Sequence, residues 1–369
     1  MGNKLLSIPH HVDDYECMWN GIEDLYMQKS GEKIPHQFFF CLSGKGNFIY
    51  LKSNNGELKR RAAWGDGRTK QMYKEISDIV GFKYKHIEGR KFEYAMKVAK
   101  EQIDIGCPVV LGCLDMYCLS YYPKFYKKEH IPIHYVLMIG YNDVKGCAYI
   151  LDCGIETVQE ISYELLEEGM SVETKGLSLK NTVCTIEFEK NLKSTIEIAK
   201  EGFFRKSTKM LNSPVGFAGI RGMYKLAKEF PYWQKELTKE DYTAVLLNSV
   251  MFSGTVPQIP NRLLGISEAD NIRYMCGREQ MSSVLSELGR EYQISAWCEA
   301  AEFFIESGDV LEKMVDKTTE YLLKARTDLY ELPQMMIRVA KIEENAYKKI
   351  LSGIDIEHMN SKRIISGYT

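Results

Sequence analysis

The sequence predicts an α+β protein: a first half built on an antiparallel sheet, followed by an all-α second half. Three observations carry this reading. Short runs rich in β-branched and aromatic residues recur up to about residue 190. Tight-turn sequences separate several of them, and beyond about 191 the apolar spacing changes to three and four. With 369 residues and 42.5 kDa the chain exceeds one ordinary core, so two domains are expected, at 1–190 and 191–369.

The strand-type runs are HQFFFCL (36–42), NFIYLK (47–52), PVVLGCL (108–114), HYVLMIGY (134–141), CAYILDC (147–153) and NTVCTIEFE (181–189). The turns SGKGN (43–47) and YNDVKG (141–146) favour hairpins over long helical crossovers. Two helices are expected among them. One starts near Cys17 and ends at Ser30-Gly31, with Met18, Ile22, Leu25 and Tyr26 on one face; the other covers 93–106 and ends at a glycine. In the second half IEIAKEGFF, MSSVLSELGREY, WCEAAEFFI and MMIRVAKIEENAYKKIL all read as helix. No linker or repeat separates the halves, so the helical domain is expected to wall a cleft or to mediate self-association as a homo-oligomer.

Composition narrows the function. Hydrophobic residues make up 45% and charged residues 27%, which is a packed globule rather than a disordered chain. A net charge of -2 argues against nucleic acid as a partner. The N-terminus has no apolar signal region and no long apolar run occurs, so a cytoplasmic protein without a membrane partner is expected. The ten cysteines form no CxxC pair, which leaves them as thiols with no metal site expected. SGKG lacks the GK[ST] ending of a phosphate-binding loop, and no bound cofactor is expected.

One thiol is placed for chemistry. In the first turn of a helix, Cys17 would meet the positive end of the helix dipole and unpaired N–H groups, both of which stabilise thiolate. A nucleophile of this kind needs a base and a group that orients the base. His134 opens one strand and Asp152 closes the next, so a hairpin turning at 142–146 sets them side by side. The order Cys, His, Asp is that of papain-like enzymes. The bland alternative is a helix-start cysteine, a strand-start histidine and a turn-capping aspartate with no common purpose.

The stretches YECMWNGIEDLYMQKSG and HQFFFCLSGKGNFIYL, with LDMYCLSYYP, IHYVLMIGYND and YILDCG, resemble the N-terminal domain of the butirosin biosynthesis protein H family. FAGIRGMYKLAKEFPYW (217–233) and the segment 261–289 are similar to the helical domain of unknown function that follows it. The resemblance implies a papain-like fold and a cysteine acyltransferase of secondary-metabolite (antibiotic) biosynthesis. In such an enzyme a Cys takes an acyl group from an acyl or peptidyl carrier-protein thioester and passes it to a small-molecule amine, forming an amide. Cys17, His134 and Asp152 take the catalytic positions. The phosphopantetheine arm arrives with the donor. The family often has His immediately before the Cys, where this chain has Glu16. A related group acts in thiotemplated pathways such as that of closthioamide.

Secondary roles follow from the same chemistry. Cys17 N–H would be one oxyanion donor, and among the residues just upstream His11 is favoured as the second, against the alternative of a solvated loop histidine. Asp115 and Tyr117, spaced to share a strand face, would hold a substrate amine, or else Asp115 binds loop backbone. Arg273 is the basic residue of the helical half proposed to touch substrate. Residues 52–100 carry 13 Lys/Arg against six Asp/Glu, a basic stretch suited to an acidic carrier protein or simply to water. Trp19, Tyr117, Tyr121, Tyr122 and Tyr135 suit a dry tunnel, or a core. Two rival functions share the residues: a cysteine peptidase or amidase with water as acceptor, and a catalytically silent binding protein.

Overall fold

The computed structural model describes residues 2–13, 19–53, 58–65, 68–248 and 276–355, with the side chains of 19, 20 and 248 left out. The chain forms two compact units, one of residues 1–39 and 68–195, the other of 40–67 and 196–369. The chain passes between them after residues 39, 67 and 195, and the periodicity change near 190 lies close to the third of these crossings. The two earlier crossings leave no mark in the periodicity, although residues 40–67 group with the helical second unit.

The first unit holds an antiparallel sheet in the order β4-β9-β5-β6-β7-β8, with β1 (Asn3–Leu5) paired to the end of β6. Its strands are β4 (Phe82–Ile87), β5 (Val109–Leu114), β6 (His134–Asn142), β7 (Cys147–Asp152), β8 (Ile155–Ser162) and β9 (Val183–Phe188). β6 is buried along its whole length, which is why HYVLMIGYN reads as a continuous apolar run rather than an alternation. The turn after it is chemically specified. Asn142 Oδ1 accepts from the N–H groups of Val144 and Lys145, both at 3.0 Å, and Gly146 supplies a φ of 69°.

Helix α4 (Phe92–Asp104) and helix α5 (Tyr163–Met170) cover one face of this sheet. Ala95, Ala99, Ile103, Leu166 and Met170 meet Val109, Leu111, Val136, Met138, Ala148, Ile150 and Val183 in one buried cluster. Those strand positions alternate by two, as the pleat requires. Helix α3 (Thr69–Val80) packs on β4, where the Tyr73 ring lies 5.7–6.0 Å from Phe82, Tyr84 and His86. Helix α1 (Trp19–Ser30) buries Ile22 and Tyr26.

The run HQFFFCL is a short helix, α2 (Phe38–Leu42), not a strand. Three consecutive phenylalanines suit a strand on propensity alone. Here tertiary contacts override it: Glu23 Oε1 accepts the N–H of Phe39 at 2.8 Å, and Phe38 and Phe39 are both fully buried.

In the second unit β2 (Ile49–Lys52) and β3 (Arg60–Ala63) pair beside α6 (Thr195–Leu211), α7 (Gly219–Glu229), α8 (Trp233–Glu236) and α9 (Lys239–Asn248), together with the helices Arg278–Glu291, Ser295–Leu322 and Leu332–Ser352. Tyr50 stacks on Trp233 at 6.0 Å, and Phe48 meets Trp64 at 4.5 Å. The buried Arg278 guanidinium holds Glu343 through both of its oxygens, at 2.9 and 3.1 Å. Among the described residues no helix is long and apolar enough to cross a membrane.

Candidate active site

The apolar face of β6 and β7 ends in two polar residues. Val136 and Met138 lie in the core, and two residues before Val136, on the same face, comes His134; Ala148 and Ile150 lie in the core, and two residues beyond Ile150 comes Asp152. The register pairs Leu137 with Leu151, so His134 and Asp152 are diagonal neighbours at the open end of the hairpin. His134 Nε2 lies 2.8 Å from each Asp152 oxygen.

Asp152 is wholly buried and receives two further donors, Tyr121 OH at 2.8 Å and Tyr122 OH at 3.1 Å. The Tyr122 ring also stands edge-on to the His134 ring, at 5.8 Å and 89°. Burial works against the charge of Asp152, but His134 and the two hydroxyls hold its carboxyl below the usual range. Burial likewise opposes charging of His134, and the Asp152 carboxylate overrides it, pushing the imidazole up to about 9. Because a carboxylate only accepts, Nε2 carries the hydrogen and Nδ1 becomes the nitrogen that can exchange a proton with a reacting group.

The segment ahead of α1 is tied to the same end of the sheet. His10 Nε2 faces the carbonyl oxygens of Asp152 and Ile155 at 3.1 and 3.0 Å, so it too must be a donor. Asp13 N–H donates to Cys153 O at 2.8 Å. Cys17, Glu16 and Arg273 lie outside the described residues, as does the Trp19 side chain. Among the described thiols Cys153 stands close by, its Sγ grouped with His134 and Asp152 ligating atoms within 4.8 Å.

The other expected residues are placed elsewhere. His11 is not a solvated loop residue: its Nδ1 lies 2.5 Å from Asp24 Oδ1, and its N–H donates to Asp24 Oδ2 at 3.1 Å. Asp115 and Tyr117 do not share a strand face, because β5 stops at Leu114 and residues 116–118 form a 3-10 turn. Asp115 caps that turn, accepting from Tyr117 N–H at 3.1 Å, Ile131 N–H at 2.9 Å and His130 Nδ1 at 2.7 Å. Its carboxylate is committed to the chain's own donors. Tyr117 stacks on His130 at 4.1 Å. Tyr135, one residue from His134, falls on the opposite face of β6, where its hydroxyl accepts from Cys113 Sγ at 3.2 Å. The basic stretch 52–100 is divided between the two units. Lys52 and Arg60 face Glu236, Lys70 faces Glu88, and Lys83, Lys85, Arg90 and Lys91 remain exposed in the first unit.

Sequence reasoning did not see that Tyr121 and Tyr122 clamp Asp152, nor the His10 and Asp24 contacts. The YYP pair 30 residues before Asp152 carried no spacing signal. Asp24 is buried although it sits on the side of α1 opposite Ile22 and Tyr26, so the helical periodicity does not mark it.

Fold and site together define an α+β protein whose sheet unit carries a buried histidine–carboxylate pair at one hairpin end. Residues 16–153 match the family described as butirosin biosynthesis protein H, N-terminal, and residues 166–255 match a domain of unknown function, DUF4872. The chain thus carries the N-terminal domain of the butirosin biosynthesis protein H family. That matched segment opens one residue before Cys17 and closes one residue after Asp152. No curated protein matches the chain.

Proposed function

We propose that the protein is a cysteine-dependent acyltransferase that moves an acyl group from a carrier-protein thioester through Cys17 to an amine. The observation that carries this reading is the His134–Asp152 pair, a base held in one tautomer by a buried carboxylate that accepts from three donors. The family match supports it by spanning Cys17, His134 and Asp152.

In the proposed reaction the Cys17 thiolate attacks the thioester carbonyl, and the tetrahedral intermediate expels the pantetheine thiolate. The His134 imidazolium, through Nδ1, protonates that leaving group. The acyl-enzyme is then attacked by the amine, whose proton passes to His134, and Cys17 leaves as thiolate to complete the cycle. Asp152 stays charged throughout and favours the imidazolium in each half-reaction. A thioester donor drives amide formation without any cofactor of the enzyme's own. The exposed Lys83, Lys85, Arg90 and Lys91 suit an acidic carrier protein with a phosphorylated arm.

Thioester turnover in the presence of an amine tests the assignment. Cys17→Ala and His134→Ala are each expected to reduce it by at least about a thousandfold, and Asp152→Asn by a smaller factor, with the fold retained by circular dichroism. Turnover that survives in His134→Ala, or that is abolished by Cys153→Ala but not by Cys17→Ala, would remove this reading.

A further inference from the structure

His11 and Asp13, in the loop ahead of α1, and His36, in the loop behind it, bring one ligating atom each to within 4.8 Å of one another. This donor set is two imidazoles and a carboxylate. Each of the two inner residues is held from behind. His11 Nδ1 is engaged by Asp24 Oδ1 at 2.5 Å, which makes Nε2 the coordinating nitrogen. Asp13 Oδ1 accepts from Gln37 Nε2 at 2.7 Å, while Oδ2 lies 3.7 Å from His36 Nδ1. A carboxylate behind a ligating histidine fixes its tautomer and raises its basicity, and this arrangement recurs around protein-bound zinc.

Charge points the same way. Asp13, Glu23 and Asp24 are all buried, at 7%, 1% and 3% exposure, and Glu23 Oε2 stands 4.0 Å from His11 Nε2. These three buried carboxylates face three histidines, His10 Nδ1 lying 3.6 Å from Asp24 Oδ2, and a divalent cation at His11, Asp13 and His36 would offset carboxylate charge that is otherwise costly to hold out of water. Nitrogen and oxygen donors without sulfur suit Zn2+ and its neighbours in the first transition row.

We propose that His11, Asp13 and His36 bind a divalent transition-metal ion of the Zn2+ class that clamps the loop ahead of α1 to the loop behind it. This assigns His11 to metal ligation instead of the oxyanion role expected from its position in the sequence. Of its three residues Asp13 is nearest to Cys17 in the sequence, four positions before it, and the clamp does not depend on the acyl-transfer reading.

The test uses the full chain, stripped with chelator and dialysed, then titrated with Co2+ and back-titrated with Zn2+. One saturable equivalent is expected, with visible d–d bands, no sulfur-to-cobalt charge-transfer band, and loss of colour on adding Zn2+. His36→Ala, at a residue whose side chain is 71% exposed, should keep the fold and weaken binding at least tenfold; Asp13→Asn should do the same. Cys17→Ala should bind as the wild type does. Absence of a saturable site, a thiolate band that disappears in Cys17→Ala, or unchanged affinity in His36→Ala would overturn the proposal.

Discussion

Asp152 shows how one buried charge is made tolerable and useful. Two tyrosine hydroxyls and an imidazole satisfy both of its oxygens, so the carboxylate stays ionised without water. Its link to His134 makes stability pH-dependent. The folded-state value of about 9 lies above the 6.5 of a free imidazole, so this stabilisation is complete below about pH 6.5 and is lost as pH rises through 9. The lowered Asp152 value adds stability above about pH 3.8 that disappears on further acidification. The thermal midpoint should therefore decline between pH 6.5 and 9, and Asp152→Asn should flatten that decline. Tyr121, Tyr122, Cys153 and Cys113 are the other titratable neighbours, so an equal slope in Asp152→Asn would assign the effect to them. The pair itself was legible in the sequence, because a strand-opening His and a strand-closing Asp flank one turn. Its tyrosine clamp was not, since hydroxyl partners across a fold leave no local pattern.

At the scale of elements, the β6–β7 hairpin carries the site, and its turn chemistry made it readable from sequence. What the sequence hid was the crowding on its outer side. A Cβ at Gly140 would stand 2.5 Å from Lys4 O and 3.0 Å from Leu5 Cα, where β1 crosses β6. Gly140→Ala is thus expected to cost about 1–3 kcal/mol through displacement of β1, measurable as a lower denaturant midpoint. A neutral effect would mean that β1 is not seated as described. The α2 segment was misread for a related reason: propensity describes a residue alone, whereas the Glu23 carboxylate that receives Phe39 N–H lies 16 positions away.

For the whole molecule, the periodicity change near 190 lies close to one boundary between the units, whereas those after residues 39 and 67 leave no such signal. Residues 40–67 bury Phe48, Tyr50 and Trp64 within the helical unit, where Trp233 Nε1 donates to Tyr50 OH at 3.2 Å and Arg278 reaches Trp64 O at 2.5 Å. A fragment of residues 1–190 would leave those rings without their partners. It should be insoluble or bind a hydrophobic dye strongly, while the full chain does neither; a soluble, cooperatively folding fragment would contradict this division of the chain. Because each unit contains chain from both sides of the other, the chemistry should be measured on the full-length protein. Intact-mass spectrometry after mixing it with a short acyl thioester tests the central claim most directly. The account predicts one acyl adduct, mapped to Cys17, that persists without amine and discharges into amide when amine is added. An adduct on Cys153, or rapid discharge to free acid whatever amine is present, would contradict it.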